Sequence, residues 1–460
     1  MRYLVGFVCV LALGVMGCSE TSGTGGSGGT AGECVAGEPT ACFTVCGSVG
    51  EGTCSDDGAL PAPEDCTPPA EQCDNGLDDD CDGLIDPGFG TLVGSSAQLD
   101  DEANGVRVGT LGDDAWIAWT HWDLMPPPAS VYGAWLAPDG TAAVAPAALA
   151  PTTDTQLLGR PGPGDDQVLV PWIQVPDGGT QRVAGLLFAP DGSTVALENS
   201  WTEDGARVPA AAWSGADFGL FWAADGPASD QDDLRFARVG ADGATLTRPV
   251  DVVPAAGEQF KSGVAATWNG TSFGVVWDET ACTPGCLHRL RLGEVSRTGI
   301  LLSVVDVVDP EGSGLGVWQF GWTGTEYVLA WERESGDEAR MMLVDALGGV
   351  LASHQLSGRP LDERLGGMHF RQVADGFEVV WSVSRSWGDV LYAQHLSSTL
   401  SPEGPERVVT WSDERWINYP GLTTSGGSLL LSWSERPLDA PPFLGPDLLF
   451  VQPMGTCAAP

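Results

Sequence analysis

The stretch TSFGVVW, residues 271–277, starts on small polar residues, runs through apolar ones and stops on a tryptophan. Six other stretches share that ending: DDAWIAW at Trp119, DQVLVPW at Trp172, ADFGLFW at Trp222, TEYVLAW at Trp331, DGFEVVW at Trp381 and GSLLLSW at Trp433. Successive tryptophans lie 53, 50, 55, 54, 50 and 52 residues apart. A fixed period of this length marks a chain built from stacked copies of one supersecondary unit.

Working outward from the marker tryptophan, each unit has the same internal order. A short apolar segment and a Gly-containing turn (NGT, TGT, SGA) precede the marker segment. A variable polar loop follows, then an alternating segment such as DLRFARV or ARMMLV. A turn such as APDG (137–140, 189–192) or GADG (240–243) leads into a last alternating segment such as ATLTRPVDVV. Period-two alternation between Gly and Asp turns indicates antiparallel strands, and no segment carries a helical stripe. Four strands per unit and seven units predict an all-β fold, a seven-bladed β-propeller of four-stranded blades over residues 90–460. One tryptophan per unit at a strand end is expected to pack between blades.

The ring must also close. The seventh unit, ending PDLLFVQPMGTCAAP, lacks a fourth strand, while GTLVGSSAQLD (90–100) stands unpaired before the first unit. Residues 90–100 are therefore expected to complete the last blade.

Ahead of the propeller the composition changes. Residues 1–17 of MRYLVGFVCVLALGVMGC hold one charge and an apolar run too short to span a bilayer, as in a secretory signal peptide. The ending VMGC resembles the bacterial lipobox, which implies lipidation of Cys18; Ser19 in the next position points to the outer membrane. Residues 18–33, rich in Gly, Ser and Thr, read as a flexible tether. Residues 34–89 read as a small, disulfide-rich, helix-poor acidic module with too few apolar side chains for a core of its own. On this reading a lipid anchor at the N-terminus is the chain's one contact with membrane, and the chain is a monomer.

Ten cysteines remain after Cys9 and Cys18 are set aside. Cys282 and Cys286 enclose a TPG turn and are expected to pair. Cys73 and Cys81 flank an acidic turn and are expected to clamp it. The odd cysteine of the module, one of Cys34, Cys42, Cys46, Cys54 and Cys66, is expected to reach Cys457, so that the two ends of the chain meet.

The acidic turn DDDCDGLID fits the first part of a calcium loop. Asp78, Asp80 and Asp82 occupy alternate positions, Gly83 supplies the sharp turn, the Leu84 carbonyl follows, and Asp86 takes the ninth position. Phe89 stands where an EF-hand has its bidentate Glu, so Asp74 or Glu71 would supply the missing oxygens. The whole run, EQCDNGLDDDCDGLID (71–86), resembles the MopE-type metal-binding motif of myxobacterial lipoproteins. Some relatives of that motif are linked to copper, but an all-oxygen ligand set favours calcium.

The net charge is −41, with 62 acidic against 21 basic residues. Such a surface repels nucleic acid and anionic lipid. Five histidines are scattered without metal spacing, and no G-x-S-x-G, H-E-x-x-H or phosphate loop occurs. Trp122, Trp201, Trp387, Trp411, Trp416 and Tyr419 fall outside the marker positions, in loops that share one face of such a ring. Aromatic platforms beside charges suit a glycan or an envelope protein. Non-catalytic binding at the cell surface is the leading expectation, and a glycan-cleaving propeller enzyme the alternative.

Overall fold

The computed structural model of the chain describes residues 34–69, 81, 92–93, 95–100, 103–122, 129–226, 231–254, 259–282, 286–311, 315–333, 339–356, 364–385, 388–437 and 447–455. Cys18, expected from the sequence to be lipidated, the acidic turn from Asp74 to Asp86, Trp387, Cys73 and Cys457 lie outside these residues. The chain divides into two compact units, residues 1–86 and 87–460.

The first unit is a hairpin, Pro39–Phe43 against Val49–Thr53, followed by a single 3-10 turn at Pro63–Asp65. Phe43, Val45 and Val49 are exposed, so burial contributes little. Cross-links replace it: Cys34 pairs with Cys54, Cys42 with Cys66, and Cys46 with Cys81. These bridges correct two expectations. Cys81 takes Cys46 rather than Cys73, because the hairpin turn carries Cys46 to it. The partner of Cys457 is none of the five cysteines proposed for it, since each of those is bonded elsewhere. The Cys282–Cys286 bridge is present.

The second unit is a seven-bladed β-propeller of four-stranded antiparallel blades. Blades 3 to 6 are regular, each pairing four consecutive strands in chain order; blade 4, for example, runs Gln259–Trp268, Phe273–Ala281, Leu287–Val295, Leu301–Glu311. The last blade pairs Arg415–Ser425, Ser428–Pro437 and Leu448–Met454 with a strand from the start of the unit, Ala97–Asp100. The orphan segment thus closes the ring as its sequence implies. The Trp119 indole N–H donates to the Asp100 carboxylate, and His121 Nδ1 lies 2.9 Å from it, which fastens the closing strand to blade 1.

Seven apolar clusters fill the ring, each shared by two adjacent blades and each holding one marker tryptophan. All seven markers are at most 4 % exposed. Each stands directly opposite a third-strand residue: Tyr132, Ala184, Arg235, Arg291, Arg340, Tyr392 and Phe450 in blade order. Trp381 stacks on Tyr392 and Trp433 on Phe450, as cross-strand neighbours on one face of a sheet do. The period of the sequence is therefore the spacing of interblade packing.

Candidate functional site

The first strand of each blade lines the axis of the ring. Most of these strands carry a register shift: Asn104 to Arg107, Ser262 to Ala265, Val317 to Gln319, Leu365 to Gly367 and Asn418 to Gly421. A bulge of this kind re-aims the side chains after it. In blades 1 and 4 the bulge is made by a glycine in the left-handed region, Gly105 (φ 61°) and Gly263 (φ 62°). Blade 7 puts Tyr419 at the corresponding place with φ 49°. A tyrosine there costs about 1–2 kcal/mol that glycine would not, a strain typical of a position kept for its side chain.

Blade 2 departs further. Its first strand is split into Thr155–Leu158 and Gly162–Pro163. Pro161 and Pro163 supply no N–H for a ladder, so the chain leaves its own blade between the two halves. Arg160 instead pairs with blade 3, donating its N–H to Pro209 and accepting from Ala211. Gly159 makes the approach possible, since a Cβ there would lie 2.5 Å from the Pro209 carbonyl oxygen.

These devices shape an axial cavity of about 460 Å³. Its polar wall includes Arg107, Arg160, Gln319, His369, Tyr419 and Ser432, and its apolar wall includes Trp213, Trp268, Trp318 and Phe320. The Arg160 side chain crosses from blade 2 to blade 5, donating to the carbonyls of Trp318 (2.7 Å) and Val317 (2.5 Å). Arg107 donates to the Val106 carbonyl at 2.8 Å. Burial, with Arg107 alongside, pushes the Arg160 guanidinium down to about 9, which still leaves it protonated at neutral pH. Burial also lowers Arg107. His369 Nδ1 accepts the Leu422 N–H at 3.1 Å, and burial followed by the nearby Arg107 charge pushes the ring down to about 3. The ring is therefore neutral and carries its proton on Nε2. Tyr419 donates its hydroxyl to Asn104 Oδ1 at 3.1 Å.

The strand bearing Tyr419 is held by Asp389, a carboxylate only 1 % exposed that accepts the Ile417 N–H at 2.6 Å and the Ser384 hydroxyl at 3.1 Å. Burial outweighs these hydrogen bonds and raises Asp389 to about 6. The native state thus binds more protons here than the unfolded state does between about pH 4 and 6. Stability falls as pH rises through that window. Asp389→Asn, which keeps an acceptor for Ile417, is expected to lack this slope. Its stability relative to wild type should rise by on the order of 2–3 kcal/mol between pH 4 and 7. Urea unfolding across that range checks this, and parallel curves for the two proteins would refute it.

Of the residues singled out in the sequence, Tyr419 alone among the described ones lines the cavity. Trp122, Trp411 and Trp416 are exposed by 38 %, 60 % and 42 % at strand ends on the face of the interblade loops. Trp201 is not free to bind: its ring stacks on the marker Trp222 with centroids 5.7 Å apart, extending an interblade cluster. Arg107, Arg160 and His369 were not anticipated. The available signals were an arginine inside the apolar strand GVRVG and the GRPGP segment, which cannot continue a ladder.

A separate group lies in blade 6, where His395 Nε2 is 3.7 Å from Asp375 and 3.6 Å from Glu403. Imidazole with two carboxylates suits a transition metal or zinc better than calcium. The carboxylates are exposed, and the same spacing serves an ordinary water-screened surface contact.

No family model matches the chain, and no curated protein matches it. Solved structures with similar folds include the β-propeller domain of the Trilobed protease from Pyrococcus furiosus. It is 9 % identical, with a TM-score of 0.45 over 79 % of this chain and 98 % of that one. An ulvan-cleaving polysaccharide lyase is 10 % identical, with a TM-score of 0.48 over 80 % of this chain and 95 % of that one. The acylaminoacyl peptidase of Pyrococcus horikoshii is 10 % identical, with a TM-score of 0.44 over 77 % of this chain and 51 % of that one. At these identities and TM-scores the similarities say nothing of what this chain does.

Proposed function

We propose that the chain is a non-catalytic binding protein of the bacterial surface whose propeller retains a glycan. Lipidation at Cys18 would anchor it to the outer membrane, and the calcium-held turn of Asp78, Asp80 and Asp82 would stiffen the acidic module. The observation that carries the reading is the axial cavity. Tryptophan and phenylalanine faces can cover the apolar faces of sugar rings, and fixed N–H and O–H groups can bond their hydroxyls. Glycoside hydrolysis ordinarily takes a pair of carboxylates, and the described lining of this cavity is without one. A protein partner at the exposed Trp411 and Trp416 is compatible with the same reading.

Cleavage is the second reading. It is favoured by one observation, a phenol and a neutral imidazole, Tyr419 and His369, in the same cavity as two guanidinium groups. The test is to present the mature chain to an array of purified polysaccharides with calcium and again with chelator. Retention without shortening of the glycan is the expected result. Release of new reducing ends or unsaturated products would make the protein an enzyme. A melting temperature indifferent to chelator would remove calcium from the account.

A further inference from the structure

We propose that the axial cavity is an oxyanion site, in which Arg107 and Arg160 grip a carboxylate or sulfate of an acidic saccharide. The proposal rests on the glycan-retention reading and specifies the charge class of the ligand.

Acidic residues outnumber basic ones about threefold in this chain, and many of its described arginines face a carboxylate. Arg297 lies 2.8 Å from Asp217, Arg371 2.6 Å from Glu378, and Arg291 3.2 Å from Glu279. Arg107 and Arg160 differ: among the described residues no carboxylate pairs with either, and the described lining of the cavity contains no acid. Two guanidinium groups stand close enough for Arg107 to lower Arg160. Like charges held together away from bulk water are unfavourable unless something anionic joins them. In a chain of net charge −41, gathering cations and excluding acids at one place is the reverse of what composition alone would produce.

The donors also fit. Arg160 commits two of its N–H groups to backbone carbonyls, which fixes the guanidinium plane across the channel. Arg107 retains a buried Nε–H without a partner. His369 is locked by Leu422 into the tautomer with a donor at Nε2. Several N–H groups around one cavity, with no carboxylate in its described lining, make an oxyanion receptor, and planar guanidinium groups suit the paired oxygens of carboxylate and sulfate. The aromatic residues of the same cavity leave room for the sugar that carries the anion.

The experiment is calorimetric titration of the mature chain with three oligosaccharides of equal length: a polyuronate, a sulfated chain and a neutral chain. Thermal melts in inorganic sulfate and in chloride at equal ionic strength run beside it. At least one acidic oligomer should bind at least tenfold tighter than the neutral one, and the preferred one distinguishes carboxylate from sulfate. Arg107→Met should weaken that binding by roughly 10–100-fold, the usual strength of a charge-assisted hydrogen bond. Arg107→Lys, which keeps the charge and loses the fork, should fall between the two and serves if the Met variant does not fold. Neutral and acidic oligomers binding alike, or Arg107→Lys and Arg107→Met binding as wild type does, would overturn the oxyanion site while leaving glycan retention standing. If no saccharide binds but sulfate raises the melting temperature of wild type and not of the Arg107 variants, the site stands and the glycan reading fails. If neither happens, both fail.

Discussion

Asp232→Ala is expected to destabilise the propeller by about 2–4 kcal/mol, from a buried amide left without its acceptor and a buried cation left with less counter-charge. The side chain is 1 % exposed and lies between blades 3 and 4. It accepts the Lys261 backbone N–H at 2.7 Å and the Arg207 guanidinium at 3.0 Å. Lys261, the chain's single lysine, is fully buried and donates its ammonium to the Asp232 carbonyl. Burial pushes that ammonium below its usual range, although Glu279, Asp232 and Asp233 pull it back up. Removing Asp232 therefore leaves a desolvated cation with less counter-charge and an amide with no acceptor.

The sign with pH follows. Lys261 has a lower pKa folded than unfolded, so the unfolded state binds more protons below the ordinary lysine range. Stability rises with pH there, and losing Asp232 steepens the effect. The deficit of Asp232→Ala should shrink as pH is raised toward about 10. The double variant Asp232→Ala with Lys261→Met should recover part of the loss, because it removes the stranded charge. Denaturant unfolding of the two variants measures this. A single-variant cost under about 1 kcal/mol, or a double variant no better than the single, would show that Lys261 is not held by this carboxylate.

Asp232 also shows what kind of feature a sequence reading can miss. It sits three residues before Arg235, the residue opposite marker Trp222. Asp389 and Asp447 sit three residues before Tyr392 and Phe450, opposite Trp381 and Trp433. Each reaches the first strand of the next blade: Asp232 at Lys261 and Asp389 at Ile417 through the carboxylate, Asp447 at Ala103 through its carbonyl. Blades 1, 2 and 4 carry Ala129, Gln181 and His288 at that interval, so it does not stand out as a motif of every unit. The tryptophan period is legible because one bulky residue per interface must be buried, and burial tolerates few substitutes. Closure is legible because a missing strand leaves an edge that a propeller must cover.

The channel was illegible for a different reason. Arg107, Arg160 and His369 come from blades 1, 2 and 6, and each is a lone polar residue in its own apolar segment. Only the closed ring brings them together. Aromatic residues in polar loops stand out instead, and among the described ones Tyr419 alone faces the axis, through a bulge that no local pattern announces. The cysteine pairing of the acidic module, unlike the Cys282–Cys286 bridge, is illegible for a similar reason. Nearness in sequence suggested Cys73 with Cys81, whereas the hairpin decides which thiols meet.

Trp222→Ala should cost about 3–5 kcal/mol, and the loss should appear first between blades 2 and 3. Trp222 is fully buried among Leu169, Ile173, Leu220 and Val239, with Trp201 stacked on it. Removing the indole leaves a cavity that strands on both sides line and that neither sheet can collapse into without breaking register. Each blade touches mainly its neighbours, so the damage should be local. Hydrogen exchange should quicken in Val168–Val175 and Asp217–Asp225 while Gly376–Arg385, on the far side of the ring, keeps its protection. Trp222→Phe should be far milder, since it keeps an aromatic face for Trp201 and the indole N–H has no partner to lose. Trp172 supplies the internal comparison, because it faces Ala184 rather than a ring. Trp172→Ala should therefore cost less than Trp222→Ala by about 0.5–1.5 kcal/mol, the usual worth of an aromatic pair. Equal costs at the two positions would mean that Trp201 merely covers Trp222 and adds nothing to the interface. Exchange that quickens uniformly around the ring would mean that the seven interfaces open together rather than one at a time.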